Sequence, residues 1–211
     1  KYNVQDFSSD YAFTIDPPNT TDFDDAFSIT KTSNKIYKIS VHIANVAVVL
    51  EYLELWEHVT NRASTIYLPD HPRHMLPSSL SQNYCSLVQN AERCVMTMDA
   101  FVDMDIGKIR NFEFRNKSIV VKSNYVYEEE SLLANESYKM LFDVSHKLDD
   151  SIRNSHDLVA YWMMKMNMIC GDCLSKYKVG IYKTLSVKGE RDIPQGFSET
   201  SSRVIKNWKN V

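Results

Sequence analysis

Three observations predict an α+β fold. Up to about residue 127, apolar and polar residues alternate in short runs separated by turn-forming residues, the pattern of half-buried antiparallel strands. From about Glu128 onward the apolar spacing lengthens to three and four, the period of helices. No internal repeat and no flexible linker interrupts the 211 residues, a length that one core can serve, so a single domain over residues 1–211 is expected.

Tyr11 to Ile15 alternates and reads as a strand that ends on Asp16. A Pro17-Pro18 turn follows, and Ala26 to Lys31 alternates again. Thr32-Ser-Asn-Lys35 has turn chemistry and leads into a third strand, Ile36 to Ala44. Leu50 to Arg62 reads as a helix with Leu53 and Trp56 on its apolar face. Residues 63–92 are rich in Pro, Ser and Asn and read as a long loop, which in a compact domain is usually functional. Cys94 to Val102, Ile109 to Phe114 and Ser118 to Tyr127 form a second group of strands, with Asp103 to Gly107 as the first turn. The strongest helical pattern runs from Asp157 to Lys176, with Leu158, Trp162, Met166, Ile169 and Cys173 on one face. Its methionines read as packing, Gly180 as a stop, and Ser198 to Trp208 as a final helix.

The chain is organised around Thr14-Ile-Asp-Pro-Pro-Asn-Thr-Thr-Asp-Phe-Asp-Asp-Ala26, which places Asp16, Asp22, Asp24 and Asp25 within ten residues. Like charges this close repel, and burying any of them without a partner costs several kcal/mol. Mg²⁺ is the natural compensation, because it accepts carboxylate oxygens in octahedral geometry and keeps positions for phosphate and water. A solvated acidic loop is the plain alternative. A calcium-stabilised structural loop is another, although the mid-loop Gly of the common calcium motif is missing.

Composition narrows the field. The formal charge of −3 gives no general attraction to polyanions, but residues 1–30 are acidic and residues 176–211 are basic. That split suits a metal-loaded centre flanked by surface that holds a polyanion, and suits two ordinary solvated faces equally well. No apolar run approaches the roughly 18 residues of a membrane span, and the N-terminus lacks the order of a signal peptide. Four unevenly spaced cysteines read as reduced thiols, which places the chain in the cytoplasm, and Cys170 and Cys173 read as core thiols. Gly is absent before Gly107, which excludes a phosphate-binding Gly-rich loop in the strand-rich half. No Gly-x-Ser-x-Gly elbow occurs, and the His71/His74 pair reads as a surface turn.

The acidic stretch, Thr-Ile-Asp followed by Asp-Phe-Asp-Asp-Ala, resembles the catalytic signature of the ribonuclease II/ribonuclease R exoribonucleases, the RNB domain. Companion blocks follow in the family's order. They are Ile39-Ser-Val-His-Ile-Ala44, Arg62-Ala-Ser-Thr-Ile-Tyr-Leu-Pro69, His74-Met-Leu-Pro through Cys85-Ser-Leu87, and Ser118 to Tyr127. The resemblance covers about residues 12–127 and resumes more weakly at 157–184. It implies an RNB-type fold, with a mainly antiparallel strand-rich N-terminal half and helices in the C-terminal half. It further implies Mg²⁺-dependent hydrolysis of single-stranded RNA from the 3′ end, releasing nucleoside 5′-monophosphates. Carried over position by position, Asp16, Asp22, Asp24 and Asp25 would hold metal. Asp24 would be the carboxylate on which chemistry most depends, with Asp22 supporting it. Tyr67 would pack against the 3′-terminal nucleotide, and Arg62 would join it in binding substrate. An aromatic platform suits a sequence-tolerant enzyme, since every base offers a π-face.

The chain departs from the family at several positions. Asn45 stands where the family has an aspartate, and Ala160 and Tyr161 stand where it has a glutamate pair. The stretch between Tyr127 and Asp157 is shorter than the family's. The Thr-Ser-Pro-Ile-Arg-Arg segment, whose arginine assists cleavage, does not occur before Val211, nor do the small RNA-binding barrels of longer relatives. The chain therefore reads as the N-terminal part of a divergent RNB domain. The rival expectation is a catalytically inactive RNB-like module that binds RNA or a protein partner.

Overall fold

The computed structural model describes residues 4, 6–59, 65–68 and 70–180. The helix expected at Ser198 to Trp208 lies outside them. The described residues fall into two compact units, one reaching Leu148 and the other starting at Asp149.

The first unit is built on a closed five-stranded barrel in the order β1-β2-β3-β6-β7. Its strands are β1 (Asp6–Asp16), β2 (Asp25–Lys31), β3 (Ile36–Ala44), β6 (Glu92–Asp103) and β7 (Lys108–Val126). Between β3 and β6 lie helix α1 (Val46–Tyr52) and a two-stranded ladder, β4 (Ile66–Tyr67) with β5 (Pro72–Arg73). Helices α2 (Glu130–Ala134) and α3 (Glu136–Leu148) follow the barrel. Most neighbours are antiparallel, as the alternating pattern requires, but β1 and β7 pair in parallel and close the barrel. The fold is thus α+β, with a mainly antiparallel strand-rich half followed by helices.

Register separates the two faces of the barrel wall. Ala12, Ala26, Val95, Ile119 and Val121 come from four strands and pack in one cluster with Leu87, which only inward-pointing side chains can do. The same inward face carries a buried polar layer. His42 makes contacts of 3.0 Å to the Ser28 hydroxyl and 2.8 Å to Thr97, while the Ser40 hydroxyl and Lys117 Nζ both donate to Asp99. Burial, reinforced by the Lys117 charge, pushes the His42 pKa down to about 3, so the ring is neutral. The outward face carries Phe13, Phe27, Ile39, Val41, Met98 and Ala100, all fully buried. Within this unit α3 packs on β2 and α2 on β7.

Several boundaries differ from those the sequence suggests. The expected helix from Leu50 to Arg62 starts earlier, at Val46, because the Asn45 side chain accepts from the Val48 amide and caps it. It ends at Tyr52, before Glu54, whose φ of 55° lies in the left-handed region. Leu53 and Trp56, expected on an apolar face, are 43% and 49% exposed. The two strands expected at Ile109 to Phe114 and Ser118 to Tyr127 are one continuous strand, β7, whose first part pairs with β6 and whose last part pairs with β1.

The second unit contains α4 (Ser155–Lys176), capped by the Asn154 side chain, which accepts from the Asp157 amide. Leu158, Trp162 and Met166 are buried as their spacing predicts, Ile169 and Cys173 only partly. The helix closes at Lys176, before Gly180. No helix among the described residues is long and apolar enough to cross a membrane. Cys85, Cys94, Cys170 and Cys173 are free thiols.

Candidate active site

The acidic stretch bridges β1 and β2 at one mouth of the barrel, with Asp16 the last residue of β1 and Asp25 the first of β2. The turn between them has little regular structure. Asn19 takes a left-handed φ of 67°, and the Thr20 amide and hydroxyl both donate to the Pro17 carbonyl. The loop is held mainly by the segments it meets. The Tyr127 amide donates to the Asp16 carbonyl at 3.1 Å, the Ala44 amide to Asp24 at 2.9 Å, and the Leu87 amide to Phe23 at 2.9 Å.

Asp16, Asp24 and Asp25 are all pushed in one direction, and Asp22 adds its charge to the repulsion on Asp16 and Asp24. Burial, followed by repulsion from Asp24 and Asp22, pushes Asp16 up to about 6, although a hydrogen bond from Thr14 opposes the rise. Burial, then Asp16 and Asp24, pushes Asp25 up to about 7. Asp24 is raised in the same direction by the protein packed around it and by Asp22. Asp24 is exposed as a residue, so water screens much of that effect. Thr14 is itself held in place, because Asn124 Nδ2 donates to its hydroxyl at 3.0 Å.

A divalent cation fits this setting by its charge and by two unfilled oxygens. Oδ2 of Asp16 and Oδ2 of Asp25 are buried without a hydrogen-bond partner. Buried polar atoms are rarely left so, and a hard cation satisfies two carboxylate oxygens at once. The fit is not a finished cage. Among the described residues no three His, Cys, Asp or Glu side chains are gathered around one point.

The two expected substrate residues are less fully placed. Tyr67 is located through its backbone, in β4 opposite Pro72, and Arg62 lies outside the described residues. Of the departures, Asn45 has a clear role: it caps α1 and donates to Asn116 Oδ1 at 3.0 Å. Aspartate and asparagine cap a helix equally well, so this difference leaves the local fold intact. Ala160 is exposed and Tyr161 buried on α4.

The structure adds residues that sequence reasoning did not single out. Tyr127 stands beside the carboxylates: burial, then Asp25 and Asp16, push its phenol up to about 12. Only the parallel pairing of Asp16 with Val126 brings it there, and no local pattern announces such a pairing. Ser86 is the second, fully buried and in contact with the loop on both sides of Asp22.

Comparison with known proteins supplies the family. The RNB domain matches residues 4–158. A ribonuclease R from Mycoplasmopsis pulmonis is 34% identical over 160 residues, which is 75% of this chain and 22% of that protein. Among solved structures, Mycoplasma genitalium RNase R in complex with ribose-methylated single-stranded RNA matches with a TM-score of 0.54 and 25% identity. That match covers 78% of this chain and 26% of that one. Yeast Ssd1, a pseudonuclease, matches with a TM-score of 0.56 over 68% of this chain and 18% of its own, at 15% identity, a likeness of fold alone. The chain spans about a fifth of the length of the curated relatives it matches. With the acidic signature at the barrel mouth and the match running from β1 into α4, the chain belongs to the RNB-domain family of ribonuclease II and R type.

Proposed function

We propose that this chain forms the acidic half of a Mg²⁺-dependent, hydrolytic 3′→5′ exoribonuclease centre that acts on single-stranded RNA and releases nucleoside 5′-monophosphates. The observation that carries the reading is the half-buried pair Asp16 and Asp25, each with one buried oxygen that lacks a partner, in a chain of this family. Asp16 and Asp25, with Asp22 and Asp24, would hold the metal. When bound, Mg²⁺ supplies a polarised water and neutralises charge on the phosphoryl oxygens. Asp24, exposed at the mouth, is the carboxylate left to face the scissile phosphate and the attacking water. Tyr67 and Arg62, from the long segment after α1, would hold the terminal nucleotide and its phosphate. The reduced thiols suit a cytoplasmic location.

The test is degradation of 3′-labelled and 5′-labelled RNA with and without Mg²⁺, on the longest natural form of the chain. The labelled 3′ end should leave first as mononucleotide, and Asp24→Asn should abolish release while RNA binding stays nearly intact. Undiminished Mg²⁺-dependent turnover by that variant would sink the assignment. One observation favours a second reading, a binding module without turnover. Where the family has a glutamate pair, this chain has exposed Ala160 and buried Tyr161, which cannot ligate a metal as carboxylates do. RNA binding without mononucleotide release by the unaltered chain would select that reading.

A further inference from the structure

The long segment after α1 does more than connect two strands. Leu76, Leu80 and Cys85 pack against Leu50 of α1 in a small core of their own, with Val46, Val49, Leu55 and Met75 around it. This core delivers residues 80–87 to the acidic loop. Arg93, the second residue of β6, fixes the far side: its Nε donates to the Ser86 carbonyl and its Nη2 to the Asn83 carbonyl, both at 2.9 Å. Ser86 is therefore anchored to the barrel wall through its backbone while its side chain is free to act elsewhere.

That side chain turns to the acidic loop and uses its hydroxyl twice. The Phe23 amide donates to Ser86 Oγ at 2.9 Å, and the Ser86 hydroxyl donates to the Thr21 carbonyl at 3.2 Å. The two peptides lie immediately after and immediately before Asp22. One oxygen thus ties both flanks of Asp22 and restricts its φ and ψ together. The ties of Leu87 to Phe23, Ala44 to Asp24 and Tyr127 to Asp16 run backbone to backbone, so a side-chain substitution leaves them in place. The Ser86 tie alone among these four is made by a side chain. Ser86 is fully buried, and removing its hydroxyl takes this partner from both the Phe23 amide and the Thr21 carbonyl.

We propose that Ser86 is a positioning residue for the metal centre: its hydroxyl clamps Asp22 from both sides and sets the directions in which the acidic-loop carboxylates face one another. This rests on the metal-dependent reading above. It assigns to a neutral side chain remote in sequence the orienting task that partners of ligands commonly perform. Both bonds of the hydroxyl go to backbone groups of the acidic loop, so its loss should appear in metal affinity and in the loop itself rather than in RNA binding.

The test compares Ser86→Ala with Thr97→Val, which deletes a buried hydroxyl contact to His42 deep in the barrel. Both variants are expected to lower the melting temperature. Mn²⁺ binding, followed by calorimetry, should weaken about 10–100-fold in Ser86→Ala and stay unchanged in Thr97→Val. Amide hydrogen exchange without metal gives an independent readout: Phe23 should exchange faster in Ser86→Ala, while Ala44, whose amide bonds the same loop at Asp24, keeps its protection. Equal Mn²⁺ affinity in Ser86→Ala and the unaltered chain would overturn the proposal, as would equal weakening in both variants. If the unaltered chain binds no Mn²⁺, the metal-centre reading itself fails. The Phe23 exchange then decides the clamp alone, and unchanged exchange refutes it.

Discussion

Asp25 and Asp16 each carry a buried oxygen with no partner, and both hold their protons well above the ordinary carboxylate range. A carboxyl whose folded pKa is raised binds more protons folded than unfolded, so its ionisation opposes folding. The penalty is absent near the unfolded value of 3.8 and grows as pH rises toward about 6 and about 7, the folded values of the two groups. In chelator, the chain should therefore lose stability between about pH 4 and about pH 7, by an amount on the order of a few kcal/mol shared by the coupled pair. Asp25→Asn should remove part of that loss, raising the melting temperature at neutral pH and changing it little near pH 4. Melting curves across pH check this, and stability rising over the same interval would contradict it. Saturating Mg²⁺ should flatten the profile of the unaltered chain. The acidic cluster itself was legible because its members are neighbours in the chain. Ser86 and Tyr127 were not, because ordinary residue types become part of a site only through distant pairing.

Strand β7 shows how a polar residue can mislead at the level of an element. Arg115-Asn116-Lys117 lies between the two runs expected as separate strands, yet the strand passes through it without a break. Lys117 points into the barrel and meets Asp99 of β6 at 2.7 Å, with side chains only 7% and 3% exposed. A buried charge with a partner is tolerated, and the partner lies on another strand where a local pattern cannot see it. Removing one member leaves the other uncompensated. Lys117→Ala is therefore expected to cost about 3–5 kcal/mol in urea unfolding, whereas Lys117→Met combined with Asp99→Leu should recover most of it. A near-neutral single variant would show that Asp99 reaches water. Helix α1 is the converse case. Its cap, Asn45, precedes the expected start at Leu50, and the apolar spacing of Leu53 and Trp56 runs on past its end at Tyr52.

At the level of the whole barrel, alternation predicted the antiparallel neighbours well, since hairpin strands adjoin in sequence as well as in space. It was silent on closure. The parallel pair β1–β7 joins the start of the unit to its last strand, and sequence order carries no mark of such contacts. Closure also places Tyr127 against Asp16, so the architecture and the site depend on one pairing. A chain ending at Arg115 keeps β1, β2, β3 and β6 but lacks the closing half of β7, and it should show no cooperative thermal transition by circular dichroism. A sharp transition would mean that the sheet is stable open. The same pairing governs timing. The acidic turn ends at Asp25 and leaves the ribosome long before the residues that fasten it, Ser86 on one side and Tyr127 on the other. On the proposed function, the nascent chain carries its RNA-cutting carboxylates in a loose turn while its own messenger passes close by. The acidic turn gains its folded form only after the residues through Tyr127 have emerged and closed on it.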